Sequence, residues 1–170
     1  MEYQEIKDIK TLYLIRQDWF NGEYFLTNNI SNYGKLIYDG FARRTGVASV
    51  AGKGWTFESE EPLFYGKTEV SIKDSNNNLI GKAVTEHLET YFLIMKNGFK
   101  AKFTSVSIFS NQYEWFSEKW GTIMHIKSPL FSLTDTITLF ENNIPDDLIP
   151  MLCFLSEHIL ISRRRRRTTY

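Results

Sequence analysis

Cysteine is all but missing from this chain of 170 residues: Cys153 is the only one. A single thiol excludes an internal disulfide, a redox pair and an all-cysteine metal site, and it suits a reducing compartment. A long apolar run is also lacking. A spanning helix needs about 20 apolar residues, whereas the longest apolar segment here runs only over 148–161 and carries Glu157 and His158 inside it. At 1.5 Å per residue it would reach roughly 22 Å, short of a hydrocarbon core of about 30 Å. The first residues, Met1-Glu2-Tyr3-Gln4-Glu5, lack the basic start and apolar stretch of a secretory signal. The expectation is a cytoplasmic protein, at most peripheral to a membrane.

Net charge is absent as well, with 20 Lys and Arg against 20 Asp and Glu. That balance hides an asymmetry. Five of the basic residues are consecutive, Arg163, Arg164, Arg165, Arg166 and Arg167, so the rest of the chain holds 15 basic residues against 20 acidic ones. A body of that sign is not expected to bind nucleic acid over a broad surface, since such binding depends on Lys and Arg neutralising phosphates. Any polyanion contact must be local, and a non-specific one is expected only through the arginine run.

What the chain does have is aromatic and branched residues in short stretches, punctuated by turn formers. Asn21-Gly22 separates 13–20 from 24–27, and Asn97-Gly98 separates 90–95 from 99–103; Asn-Gly suits the two positive-φ positions of a type I′ hairpin turn. Residues 68–73 and 79–84 alternate around Asp74-Ser75-Asn76-Asn77-Asn78. Further strand segments are read at 36–38, 55–57, 106–109, 113–116, 122–126 and 136–140, with 28–35 as a turn and 43–54 as a loop or twisted strand. Ten to twelve short strands at regular spacing predict a sandwich or barrel in a single domain, 1–162. Only the last segment departs from this. Asp146 or Asp147 as a cap, Pro150 in the first turn and arginines at the far end predict a helix over about 148–162, followed by a basic tail, 163–170. Being apolar nearly all round, that helix must be buried.

Chemistry is hard to find. The three histidines, His87, His125 and His158, have no local partner at metal-ligand spacing. Cys153 sits among Leu152, Phe154 and Leu155, where a thiol behaves as a small hydrophobe. The 74–78 stretch opens like a calcium loop but has Leu79 where glycine is required and Thr85 where glutamate is. Asn29-Ile30-Ser31 matches a sequon but reads as a hairpin turn. Glu58, Glu60, Glu61, Glu86 and Glu89 lie beside turns and are expected to be solvated, not tuned for acid–base work. No metal and no cofactor is expected. The candidate anion site is Arg43, Arg44 and Lys53, which flank a glycine-containing loop where backbone N–H groups and guanidinium forks suit a phosphate.

The order of parts, with Val70-Ser71-Ile72-Lys73-Asp74 leading to Ile80-Gly81-Lys82 and with 132–139 leading into the terminal apolar segment and a basic finish, resembles the tubby C-terminal-like superfamily. That group includes the LURP-one-related and scramblase-like proteins. The resemblance implies a closed antiparallel barrel of about twelve strands around a central hydrophobic helix. It also implies a non-enzymatic role, because tubby proteins bind phosphoinositide headgroups through basic surface residues and scramblase-like members act at membranes. The expected partner is then an anionic phospholipid surface, contacted by the arginine run. Two other readings stay open: an anchor made from 148–161, and an enzyme with an aromatic pocket lined by Trp55, Trp115 and Trp120.

Overall fold

Period-two alternation sets the architecture. In Lys53–Glu60, Trp55, Phe57 and Ser59 are buried while the residues between them are half-buried, and in Thr90–Met95 the inward set is Tyr91, Leu93 and Met95. Successive side chains of a strand point to opposite faces, so each such run lays one apolar edge toward a common interior. The computed structural model describes residues 3–17, 22–38, 43–60, 67–87, 90–107, 110–141 and 144–167.

The twelve strands are β1 (Thr11–Arg16), β2 (Glu23–Thr27), β3 (Asn32–Tyr38), β4 (Thr45–Val50), β5 (Lys53–Glu60), β6 (Glu69–Asp74), β7 (Leu79–His87), β8 (Thr90–Met95), β9 (Lys100–Ser105), β10 (Gln112–Ser117), β11 (Gly121–Lys127) and β12 (Thr134–Leu139). Each pairs antiparallel with its neighbours in sequence. β1 meets β12 in the register Thr11↔Thr138 to Ile15↔Thr134, which closes the barrel. Closure leaves no sheet edge to template aggregation.

The helix α1 (Leu148–Arg167) runs through this barrel. Residues from Met151 to Arg163 are all buried, on every side of the helix. That explains why the segment is apolar all round: the lumen of a twelve-stranded barrel must be filled, and a helix fills it with its backbone groups already bonded to one another. The wall is shaped to receive it. A Cβ on Gly34 of β3 would lie 2.5 Å from Ser49 O and 3.2 Å from the ring of Phe154, so glycine is what lets wall and helix approach.

The structure differs from the sequence reading at several boundaries. α1 continues through all five arginines, so 163–167 is helix and not a tail. β3 begins at Asn32, inside the stretch read as a turn, while the turn itself is confined to Asn28–Ser31, with Asn28 Oδ1 accepting from the N–H groups of Ile30 and Ser31 at 3.0 and 2.8 Å. The stretch 43–54 holds strand β4 and its hairpin, and Val106 and Ser107 follow β9 without forming a strand. The β8–β9 turn is not type I′. Gly98 N–H donates to Met95 O at 3.0 Å and only Gly98 has positive φ (88°), which makes a three-residue type I turn with a glycine bulge. Asp74 closes its own turn, accepting from the N–H groups of Asn76 and Asn78 at 2.9 and 2.8 Å; those bonds hold its carboxyl below the usual range. The Asn21 turn, Asp39-Gly40, and 108–109 lie outside the described residues.

Candidate functional site

The C-terminal half of α1 carries a polar seam into the barrel. Ser156 accepts a hydrogen bond from Trp115 Nε1 at 2.7 Å and donates to Leu152 O at 2.6 Å. On another face, His158 Nδ1 bonds Tyr38 Oη at 3.0 Å and its Nε2 bonds Ser59 Oγ at 2.7 Å; Ser59 in turn bonds Ser162 Oγ at 2.9 Å. The imidazole is stacked on Tyr38, with ring centroids 5.6 Å apart, and has no exposed surface. Burial lowers its pKa to about 3, with the Arg165 charge adding to the effect, so it is neutral. Burial likewise pushes the Tyr38 phenol and the Cys153 thiol upward. The Ser59–His158 spacing is that of a nucleophile and base, yet Tyr38, Phe57 and the helix close over it.

Glu157 faces a different side, as adjacent helical residues must. It is buried, shares a hydrogen bond with Asp135, and lies 3.5 Å from Arg164 Nη1. Burial and the Asp135 charge raise its pKa well above the ordinary carboxyl range, against the pull of Arg164 and Arg16. Next along the helix, the Arg163 guanidinium is buried with its carbon 5.4 Å from the ring centroids of Tyr91, Phe103 and Tyr113. This is a three-ring cation–π enclosure.

The seam opens at the end of the barrel where α1 emerges. Arg164 donates to Ser128 Oγ at 2.6 Å, tying the helix to the β11–β12 loop. A cleft of about 90 Å³ lies there, lined among others by Arg16, Tyr24, Leu130, Asp135, Glu157 and Arg164. The charges of Arg16, Arg43 and Arg164 act on Tyr24, and those of Arg43 and Arg165 on Tyr38, so four arginines from β1, the β4 entry and α1 gather at one mouth. Beside them the loop turns its apolar tip outward: Phe131 is 92% exposed and Leu130 61%.

No family model, curated protein or solved structure matches this chain. Its chemistry therefore rests on its own geometry.

That geometry divides the sequence-predicted residues. Arg44 O accepts from Ser59 N–H at 2.9 Å, whereas Lys53 begins β5, six strand residues or about 20 Å further along. Arg43 and Arg44 stand at the arginine-rich mouth and Lys53 at the opposite one. There, Lys53 Nζ is 2.7 Å from Asp147, in a cavity of about 380 Å³ also lined by Glu5 and Asp146. That end is acidic on balance. Asp147 thus spends its carboxylate on Lys53, and the helix enters through Leu148 N–H donating to Pro145 O at 2.9 Å.

Of the arginine run, Arg163 is enclosed, Arg164 bridges to the barrel, and Arg165, Arg166 and Arg167 form the helix end. The three tryptophans do not share a pocket: Trp55 and Trp115 are buried in the lumen, while Trp120 lines an outer groove. His125 pairs with Glu114 at 3.5 Å and packs against Phe140, Glu58 pairs with Lys73 at 2.7 Å, and His87 lies at the end of β7. Glu61 and Glu89 fall outside the described residues. No cluster of metal-ligating side chains occurs among the described residues.

Sequence reasoning missed the Phe131 tip and the Glu157–Asp135 pair. The tip was visible as the apolar pair Leu130-Phe131 inside a turn. The carboxyl pair was not, because its partners are 22 positions apart on different elements.

Proposed function

We propose that this protein is a non-enzymatic barrel that attaches peripherally to anionic phospholipid surfaces through the mouth where α1 emerges. The carrying observation is the juxtaposition of the arginine helix end with the exposed Leu130-Phe131 tip, bound together by Arg164 and Ser128. A cation cluster supplies salt-sensitive attraction of about 1 kcal/mol per residue near an acidic leaflet. An inserted Phe side chain adds roughly 1.5–3 kcal/mol by burial. Stable attachment generally takes two such signals together. The electrostatic share comes from the arginine-rich mouth as a whole, the arginine end of α1 together with Arg43 and Arg44. The tubby-like resemblance and its headgroup-binding role agree with this reading. The apolar segment 148–161, filling the lumen, serves here as core; no helix among the described residues is long and apolar enough to cross a membrane.

Co-sedimentation with phosphatidylserine-containing vesicles tests the proposal. Phe131→Ala with Leu130→Ala should weaken binding at all salt concentrations, and Arg166→Ser with Arg167→Ser should weaken it mainly at low salt. Equal recovery of all three proteins with the vesicles would refute it.

A further inference from the structure

The outer wall of β7–β10 carries a second, unrelated surface. Strand register places Phe92 between Val84 and Lys102, Lys102 between Phe92 and Phe116, and Ile94 between Lys82 and Lys100. Apolar and cationic side chains therefore interleave on one outward face. Phe92 and Ile94, 38% and 57% exposed, form a ridge between two grooves of about 390 and 510 Å³. Lys67, Lys82 and Lys96 line the first groove and Lys100, Lys102 and Lys119 the second. Among the described residues lining the two grooves, Glu118 is the only acid, and Lys82 also pairs with Glu69. In a body that is acidic once the arginine run is set aside, this is an island of positive charge.

Two of its rings are set into the second groove and held. Trp120 packs on buried Phe99, with centroids 5.6 Å apart, and Lys119 Nζ stands 4.3 Å from its centroid; Lys102 Nζ stands 4.9 Å from that of Phe116. A single carboxylate would use one or two of the six lysines, so their spread fits a multivalent anion. Phe116 and Trp120, which line the second groove and do not project as Phe131 does, fit planar apolar faces better than a bilayer. An extended acidic peptide fits poorly, because the closed barrel offers no edge to bond its backbone. Phosphates on lysines and bases on aromatic rings meet every one of these conditions.

We propose that this outer face of β7–β10 binds single-stranded nucleic acid. The full-length chain should raise the anisotropy of a fluorescein-labelled oligothymidylate of about twelve nucleotides, with affinity falling steeply between about 50 and 200 mM salt. Lys100→Glu with Lys102→Glu should weaken binding at least about tenfold, and Phe116→Ala by a similar factor, since each stacked base contributes on that scale. Arg166→Ser with Arg167→Ser should leave most of the affinity in place. Four results would overturn the proposal: no binding at the lower salt; unchanged affinity in both face variants; displacement by inorganic polyphosphate as effective as by unlabelled oligonucleotide; or loss of anionic-vesicle binding in the face variants with oligonucleotide binding intact. The last would mark the face as a bilayer contact. The proposal is independent of membrane attachment at the barrel mouth, whose own variants lie elsewhere.

Discussion

The buried imidazole of His158 should make the fold acid-sensitive in a way one substitution removes. The unfolded chain takes up a proton near the ordinary value of 6.5, whereas the folded protein resists it down to about 3. Between those values the unfolded state binds more protons, so stability falls as pH falls through 6.5. At about 1.4 kcal/mol per unit, the loss is roughly 2 kcal/mol between pH 7.5 and 5 and approaches 5 kcal/mol near pH 3. Glu157 works in the opposite sense: its raised pKa keeps its proton in the folded state, so its contribution is lost as pH rises above the ordinary 4.5. The total pH profile mixes the two, and the difference between wild type and His158→Gln isolates the imidazole. Urea unfolding followed by the fluorescence of buried Trp55 and Trp115 gives both curves. The variant should be less stable at pH 7.5, because Gln cannot replace both the Tyr38 and Ser59 bonds. Its deficit should shrink by about 2 kcal/mol at pH 5, a relative midpoint shift of about 1 M urea for a chain of this size. Parallel profiles for the two proteins would show that His158 titrates alike folded and unfolded, and the sealed neutral imidazole would be wrong.

Other perturbations test other parts of the same architecture. Glu157→Gln should match wild type near pH 4 and exceed its thermal stability at pH 8, because burial and the Asp135 charge disfavour the native carboxylate and its contribution to stability is lost as pH rises; a less stable variant at pH 8 would mean that the Arg164 ion pair dominates. Leu155→Arg should abolish folding, since burying an unpaired charge in the lumen costs more than a net stability of about 5–15 kcal/mol can offset, while Leu155→Ala should cost about 2–5 kcal/mol; a cooperative, native-like melt from the arginine variant would contradict a helix inside the barrel. Gly34→Ala should destabilise by more than a kcal/mol or so, because the new methyl meets Ser49 O and the Phe154 ring; an unchanged melting temperature would mean that wall and helix are looser than described. Arg163→Met keeps volume and removes the cation from the Tyr91, Phe103 and Tyr113 enclosure, and a loss of about 1–2 kcal/mol is expected by urea titration.

The barrel was legible because its evidence is local. Strand period, turn residues and an all-round apolar helix each express one element's burial, and Phe92-Leu93-Ile94 or Trp55-Thr56-Phe57 shows it within three residues. The site was less legible because its evidence is relational. Arg43, Arg44 and Lys53 look like one group in a hairpin segment, but an antiparallel pair puts its two ends at opposite mouths, and only closure of β1 on β12 fixes what each end faces. The arginine run shows the same limit from the other side. As a string it reads as a solvated tail, since five like charges repel and apolar partners cannot be inferred from neighbours that are all alike. Three aromatic rings from β8, β9 and β10 supply a place for Arg163, and a Ser128 hydroxyl with a buried carboxyl does so for Arg164. Helical continuation is then the favoured state, and how far the run is drawn into the fold is set by the barrel wall, not by the length of the run.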